Sequence, residues 1–165
     1  MTIRTQTLID EMIRYDAGSP HRIQHFLKVH AFSRQIGLLE GLPEEEQYAL
    51  EIAALTHDIG IRVCEEKYGR HPGPLQEKEG PAVARDMLTR LGGDEALIER
   101  VCYLIGHHHT YAAIDGQDYQ ILVEADFLVN LFEDSSNRQT IDEVYQNIFK
   151  THAGRDICRV MFGIA

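Results

Sequence analysis

The segment "ALTHDIGIR", residues 54–62, places a histidine and an aspartate side by side at the end of an apolar run. An imidazole or a carboxylate in a protein interior costs free energy unless a partner satisfies it. Consecutive residues on a helix point about 100° apart, so His57 and Asp58 can share a target only where their helix ends. Gly60 predicts that end as a helix C′ residue. We therefore expect both side chains to reach one ligand beyond the end of a buried helix.

Helical periodicity extends from this segment in both directions, and no stretch shows the alternation of a strand. The sequence predicts an all-α, single-domain helical bundle of eight or nine helices. Their approximate ranges are 5–15, 20–40, a helix that ends within 55–60, a short helix that contains Cys64 and Tyr68, 75–91, 95–108, 119–132, 139–150 and 156–163.

The predicted domain spans residues 1–165, with the motif-bearing core at about 19–132 and the C-terminal helices at 137–165 packing on it. The apolar C-terminal segment "ICRVMFGIA", residues 157–165, has two interpretations. It covers the core, or it forms the contact of a homodimer.

The net charge is −10, and the chain has no run of lysine or arginine. This charge argues against a nucleic acid polymer or a membrane as partner. The sequence has neither an apolar window of about 18 residues nor a basic, then apolar, leader, so we expect a cytoplasmic protein. An acidic protein that binds a phosphate needs a local positive centre, most simply a metal ion.

Two further polar residues lie in apolar surroundings. His25 belongs to the apolar face of the second predicted helix, and Asp126 lies inside the apolar run of residues 119–132. Imidazole and carboxylate are ligands that divalent first-row metals prefer. Two alternatives stay open. A hydrogen bond within the core could satisfy His25, and Asp126, Asn130 and Glu133, at offsets 0, 4 and 7, could form a solvent-facing stripe.

Three motifs in this order resemble the HD-domain superfamily of metal-dependent phosphohydrolases: "HRIQHFLKVHAFSRQIG" (21–37), "AALTHDIGI" (53–61) and "VEADFLVNL" (123–131). The resemblance implies the HD-domain fold and a divalent metal ion bound by four residues, namely His25, His57, Asp58 and Asp126. It selects His25 over His21, because a basic residue, Lys28, follows His25 three places on. The identity of the metal stays open among iron, manganese, cobalt, nickel and magnesium.

The triplet His107–His109 lies where many members of this superfamily carry histidines that contact the substrate phosphate or a second metal. Helical spacing from Leu104 places His107 and His108 toward the core and argues against His109. A plain polar helix end is the alternative.

Two departures from the superfamily pattern concern candidate site residues. The segment "PLQEKEGPAVA", residues 74–84, lacks the histidine of two-metal members, although Glu79 could substitute for it. Arg62 stands where a lysine often follows the HD pair, and it could hold a phosphate.

The resemblance implies hydrolysis of a small phosphorylated or nucleotide-like molecule. Asp58 would bind the metal and accept a proton from water, and His107 or His108 would protonate the leaving oxygen. Arg62 or Lys28 would orient a phosphate. Three alternatives remain: a catalytically silent HD module that senses a metal or nucleotide, a helical interaction protein with incidental histidines, and a metal-dependent oxygenase.

Overall fold

The structure is a computed structural model that describes residues 2–165, so residue 1 of the predicted domain lies outside the described residues. These residues form nine α-helices and no strand, which confirms the prediction of an all-α bundle. The helices are α1 (Thr5–Tyr15), α2 (Pro20–Glu40), α3 (Glu44–Thr56), α4 (Ile61–Tyr68), α5 (Gly73–Arg90), α6 (Glu95–Ile105), α7 (Gln117–Glu133), α8 (Arg138–Asn147) and α9 (His152–Phe162). No helix in this range has the length and apolar character that a membrane span requires.

Helix α3 forms the centre of the bundle. Every residue from Ala49 to Thr56 is buried, and α1, α2, α6 and α7 all pack against this helix. A helix that is buried on all sides must be surrounded by other elements, which is why the chain places it in the middle. Because α3 ends inside the bundle, the residues that follow it enter the interior.

Helices α2 and α7 pack against each other and against α3. Their shared interface contains polar side chains, because Asp126 is only 5% exposed and the Glu133 side chain only 7%. The alternative of a solvent-facing stripe on α7 is therefore wrong. The stripe faces α2, and its polar groups find partners there.

The backbone conformation of Gly60, in the turn after α3, differs from the left-handed conformation expected of a C′ glycine. Gly60 has right-handed helical angles, φ −74° and ψ −16°. Two short hydrogen-bonded turns follow Thr56, with Ile59 N donating to the Thr56 carbonyl at 3.0 Å and Ile61 N to the Asp58 carbonyl at 3.0 Å. A Cβ atom at Gly60 would lie 2.9 Å from the Gly80 Cα atom. Gly60 is thus required by the close approach of α4 to α5 and not by its φ angle.

Helix α6 ends at Ile105, three residues before the predicted end at residue 108. The chain then turns, with His107 N donating to the Leu104 carbonyl at 3.2 Å. Glu77 of α5 accepts hydrogen bonds from His109 N and from Thr110 Oγ1, each at 2.9 Å. Contacts with α5 therefore determine how the histidine triplet leaves the helix.

The C-terminal helix α9 lies against α2, α7 and α8. The two residues before α9 are held by the buried carboxylate of Glu124, which accepts from Lys150 N at 2.9 Å, Thr151 N at 3.0 Å and Thr151 Oγ1 at 2.6 Å. Cys158 is buried, whereas Val160 and Met161 are exposed. Helix α9 thus covers part of the α2–α7 pair and leaves an apolar edge in solvent.

Candidate metal centre

Four side chains from three parts of the fold converge in the centre of the bundle. His25 Nε2 of α2 lies 3.2 Å from His57 Nε2, 3.2 Å from Asp58 Oδ2 and 3.1 Å from Asp126 Oδ1 of α7. His57 Nε2 lies 3.4 Å from both of those carboxylate oxygens. The four side chains that the sequence selected as metal ligands therefore meet, and their role as ligands remains a prediction.

The Nδ1 atoms of His25 and His57 already form hydrogen bonds within the protein. His57 Nδ1 lies 2.8 Å from the Ala54 carbonyl oxygen, and His25 Nδ1 lies 2.5 Å from Glu133 Oε1. Both oxygens only accept, so each Nδ1 carries a hydrogen. A neutral imidazole then turns its Nε2 lone pair toward the cluster. Two such lone pairs and two carboxylates repel one another unless a positive charge lies among them.

The pKa values indicate the same demand for positive charge. Burial disfavours a charged imidazole, but hydrogen bonds to Asp126 and Asp58 outweigh it and raise the pKa of His25 to about 11. Burial also opposes ionisation of both aspartates, yet the neighbouring His57 keeps the pKa of Asp58 and of Asp126 below the usual range. The carboxylates are therefore charged, and a divalent cation fits this donor set.

A second group of possible ligands comprises Asp58, His108 and His109. His108 Nδ1 donates to the Ile105 carbonyl at 2.7 Å, which leaves Nε2 as the acceptor. This Nε2 atom is buried and has no hydrogen-bond partner, although Asp58 Oδ1 lies 3.4 Å away. A buried polar atom without a partner points to an absent ligand. Asp58 joins the two groups, with one carboxylate oxygen facing each.

An open cleft of about 500 Å³ leads to this cluster. His25, Asp58, Asp126 and His109 all line the cleft. A volume of this size is typical of sites for small molecules.

The HD domain family model matches residues 22–150, which is most of the chain. This chain belongs to the HD domain family. Its fold is similar to the crystal structure of a predicted HD superfamily hydrolase from an uncultured Thermotogales bacterium, with a TM-score of 0.65. The two sequences are 24% identical, and the match covers 96% of this chain and 83% of the other, so the likeness supports the fold alone. None of the curated proteins matches this sequence.

The histidine triplet of this HD domain is arranged differently from the sequence prediction. His107 does not reach the cluster: its ring stacks on Tyr103, with centroids 4.0 Å apart, and its Nδ1 donates to the Tyr103 carbonyl at 2.7 Å. His109 lies in the cleft instead. The helical projection fails here because α6 ends at Ile105, before the triplet begins.

Residues near the second ligand group differ in their access to it. Gln76 Oε1 lies 3.1 Å from His109 Nε2, so the glutamine side chain contacts this part of the HD domain cleft. Burial and the neighbouring His108 lower the pKa of His109 to about 4, which keeps it neutral at pH 7. Glu79 does not join the group, because its carboxylate accepts hydrogen bonds from Lys67 at 3.0 Å and Tyr68 at 2.7 Å.

The two predicted phosphate-binding residues do not line the cleft. Arg62 donates to the Tyr15 carbonyl at 2.6 Å and lines a neighbouring groove. Lys28 Nζ lies 3.4 Å from Glu133 Oε2, and the Lys28 side chain is 37% exposed. The cation that does line the cleft is Arg22, which precedes His25 by nearly one helical turn. Its spacing from His25 was the signal in the sequence that could have identified it.

Glu133 is a second residue that sequence reasoning missed. Its offset of 7 from Asp126 places both on one face of α7, and that face contacts α2. Through His25 Nδ1 it holds the imidazole with Nε2 toward the cluster, as carboxylates often do for metal-binding histidines.

We expect Glu133→Gln to weaken Mn²⁺ binding about tenfold, because a neutral amide polarises and orients His25 less strongly than a carboxylate. Calorimetric titration of the metal-free protein with Mn²⁺ measures this change. Asp134→Asn is the matched control, since it removes the same charge from an exposed neighbouring position. Equal Mn²⁺ affinity in Glu133→Gln and wild type would show that Glu133 does not position His25.

Proposed function

We propose that this HD domain protein is a metal-dependent phosphohydrolase that acts on a small phosphorylated or nucleotide-like substrate. The observation that carries the proposal is the convergence of the His25 and His57 Nε2 atoms with the carboxylates of Asp58 and Asp126, which line an open cleft. Imidazole and carboxylate donors suit a first-row divalent metal, and open access suits a ligand that must enter and leave.

A divalent ion in this cluster would act as a Lewis acid on a phosphoryl group and would make a nearby water more acidic. Residues of the chain would accept and donate the protons. Asp58 is ionised, so its carboxylate is able to accept a proton from the attacking water. His108 Nε2 lies 3.4 Å from Asp58 Oδ1 and is able to pass that proton to the leaving oxygen.

The test compares metal-stripped and reloaded protein. We expect chelation to reduce hydrolysis of a panel of phosphomonoesters and nucleotides at least about 100-fold, because the Lewis acid is lost. Reloading with manganese, cobalt, nickel, iron or magnesium in separate samples identifies the active ion, and elemental analysis gives its stoichiometry. Full activity in the stripped protein would contradict a metal-dependent mechanism. Tight metal binding without hydrolysis of any substrate would favour the sensor alternative.

A further inference from the structure

We propose that Arg22 and His71 form a second anion site at the mouth of the cleft, so that the substrate carries two oxyanion groups. One group would lie over the metal cluster and the other against Arg22. The inference about the substrate rests on the proposed function. The binding of a compound with two anionic groups is independent of that function, because it is measured without hydrolysis.

Arg22 occupies the position that such a contact requires. It lies three residues before His25 on α2, and both residues line the cleft. Its side chain is 23% exposed, so the guanidinium is accessible without being free in solvent. A planar guanidinium forms two parallel hydrogen bonds with a phosphate, which makes arginine well suited to this task.

Arg22 and His71 already converge on one carboxylate. Arg22 Nη2 forms a short contact with Glu65 Oε1, and His71 Nε2 lies 3.7 Å from the same oxygen. The two side chains come from different segments, the first turn of α2 and the loop before α5. Arg22 lines both the cleft and the neighbouring groove, whereas Glu65 lines the groove and its side chain is 43% exposed. The Glu65 carboxylate therefore occupies the position that an oxyanion of a ligand would take. Because this side chain is partly exposed, it is able to move into solvent when a ligand binds.

Other features of the cleft favour an anion at this point. Ser19, which precedes the 21-residue helix α2, and the first three residues of that helix line the cleft, and no side chain caps the helix end. Backbone N–H groups and the helix dipole attract negative charge there. Among the described residues that line the cleft, none is phenylalanine, tyrosine or tryptophan, so no such ring is present to stack on a base. This lining favours recognition of the charge of a ligand over stacking on an aromatic side chain.

The experiment measures binding of two probes to the Mn²⁺-loaded protein by calorimetry. Inorganic phosphate has one anionic group, and methylenediphosphonate has two joined by a linkage that is not hydrolysed. We expect wild type to bind the diphosphonate at least about tenfold more tightly than phosphate. Arg22→Gln removes this preference and leaves Mn²⁺ affinity unchanged. Glu65→Gln strengthens diphosphonate binding about threefold, because a competing carboxylate is lost.

Arg62→Gln is the matched control, because Arg62 is a nearby arginine outside the cleft. It should leave the preference for the diphosphonate intact, and Arg22→Lys should retain part of it. Equal binding of both probes to wild type overturns the proposal. Equal weakening in Arg22→Gln and Arg62→Gln also overturns it, since that result reflects net charge alone. Failure of hydrolysis with the preference intact contradicts the proposed function and leaves the anion site standing.

Discussion

Asp58→Ala is expected to lower kcat/KM at least about 10³-fold, equivalent to about 4 kcal/mol of transition-state stabilisation, and to remove most of the bound metal. Within residues 2–165, Asp58 is the residue shared by both groups of possible ligands. Its Oδ2 lies near His25 and His57, and its Oδ1 lies near His108. The substitution therefore removes a donor from both groups and the acceptor for the proton of water.

Elemental analysis and steady-state kinetics of the same samples measure the two effects. Glu79→Ala is the control, because it removes a carboxylate that Lys67 and Tyr68 hold away from the cluster. Its metal content and kcat/KM should match wild type. Thermal denaturation of both variants establishes that they are folded. Undiminished metal content in Asp58→Ala would contradict the metal centre itself, whatever the activity.

His108→Ala is expected to lower kcat about 10²–10⁴-fold, the range that general acid–base groups contribute. His107→Ala is expected to change kcat less than about threefold. The two residues are adjacent in sequence, but His108 Nε2 lies 3.4 Å from Asp58, whereas His107 stacks on Tyr103. Comparable losses in the two variants would contradict this assignment.

A second substrate separates proton donation from a structural role of His108. The leaving group of an aryl phosphate with an acidic phenol departs as a phenolate and needs no proton. The leaving group of an alkyl phosphate is a strongly basic alkoxide and needs one. If His108 protonates the leaving oxygen, His108→Ala should lose much less activity toward the aryl ester than toward the alkyl ester. Equal losses on both esters would instead indicate that His108 holds a ligand or the fold of the site.

The helices were largely predictable, because the interior of a bundle imposes a regular spacing on apolar residues. The bounds of α1 and α2 agree with the prediction, whereas α6 and α8 each end three residues early and α9 begins four residues early. The early end of α6 arises from tertiary contacts, since Glu77 of α5 accepts hydrogen bonds from the backbone and a side chain of the turn that follows.

The four central side chains were selected from the sequence on two grounds. Each is a polar group in an apolar stretch, where the interior admits it only with a partner, and the resemblance to the HD-domain superfamily decided between the alternatives that the apolar stretches left open. Periodicity also placed Glu133 on the face of Asp126, but it did not show whether that face meets solvent or α2. Arg62 was chosen for its closeness in sequence to Asp58, yet it points into the neighbouring groove.

The sequence by itself determined the helical bundle, because the spacing of apolar residues along a helix is a local property of the chain. It indicated an imidazole and carboxylate cluster through polar residues in apolar stretches and through the resemblance to HD domains. Only the tertiary structure decided that His109 and Arg22 line the cleft while His107 and Arg62 do not. The direction of a side chain at a helix end depends on the neighbouring helices, and helical spacing no longer applies there.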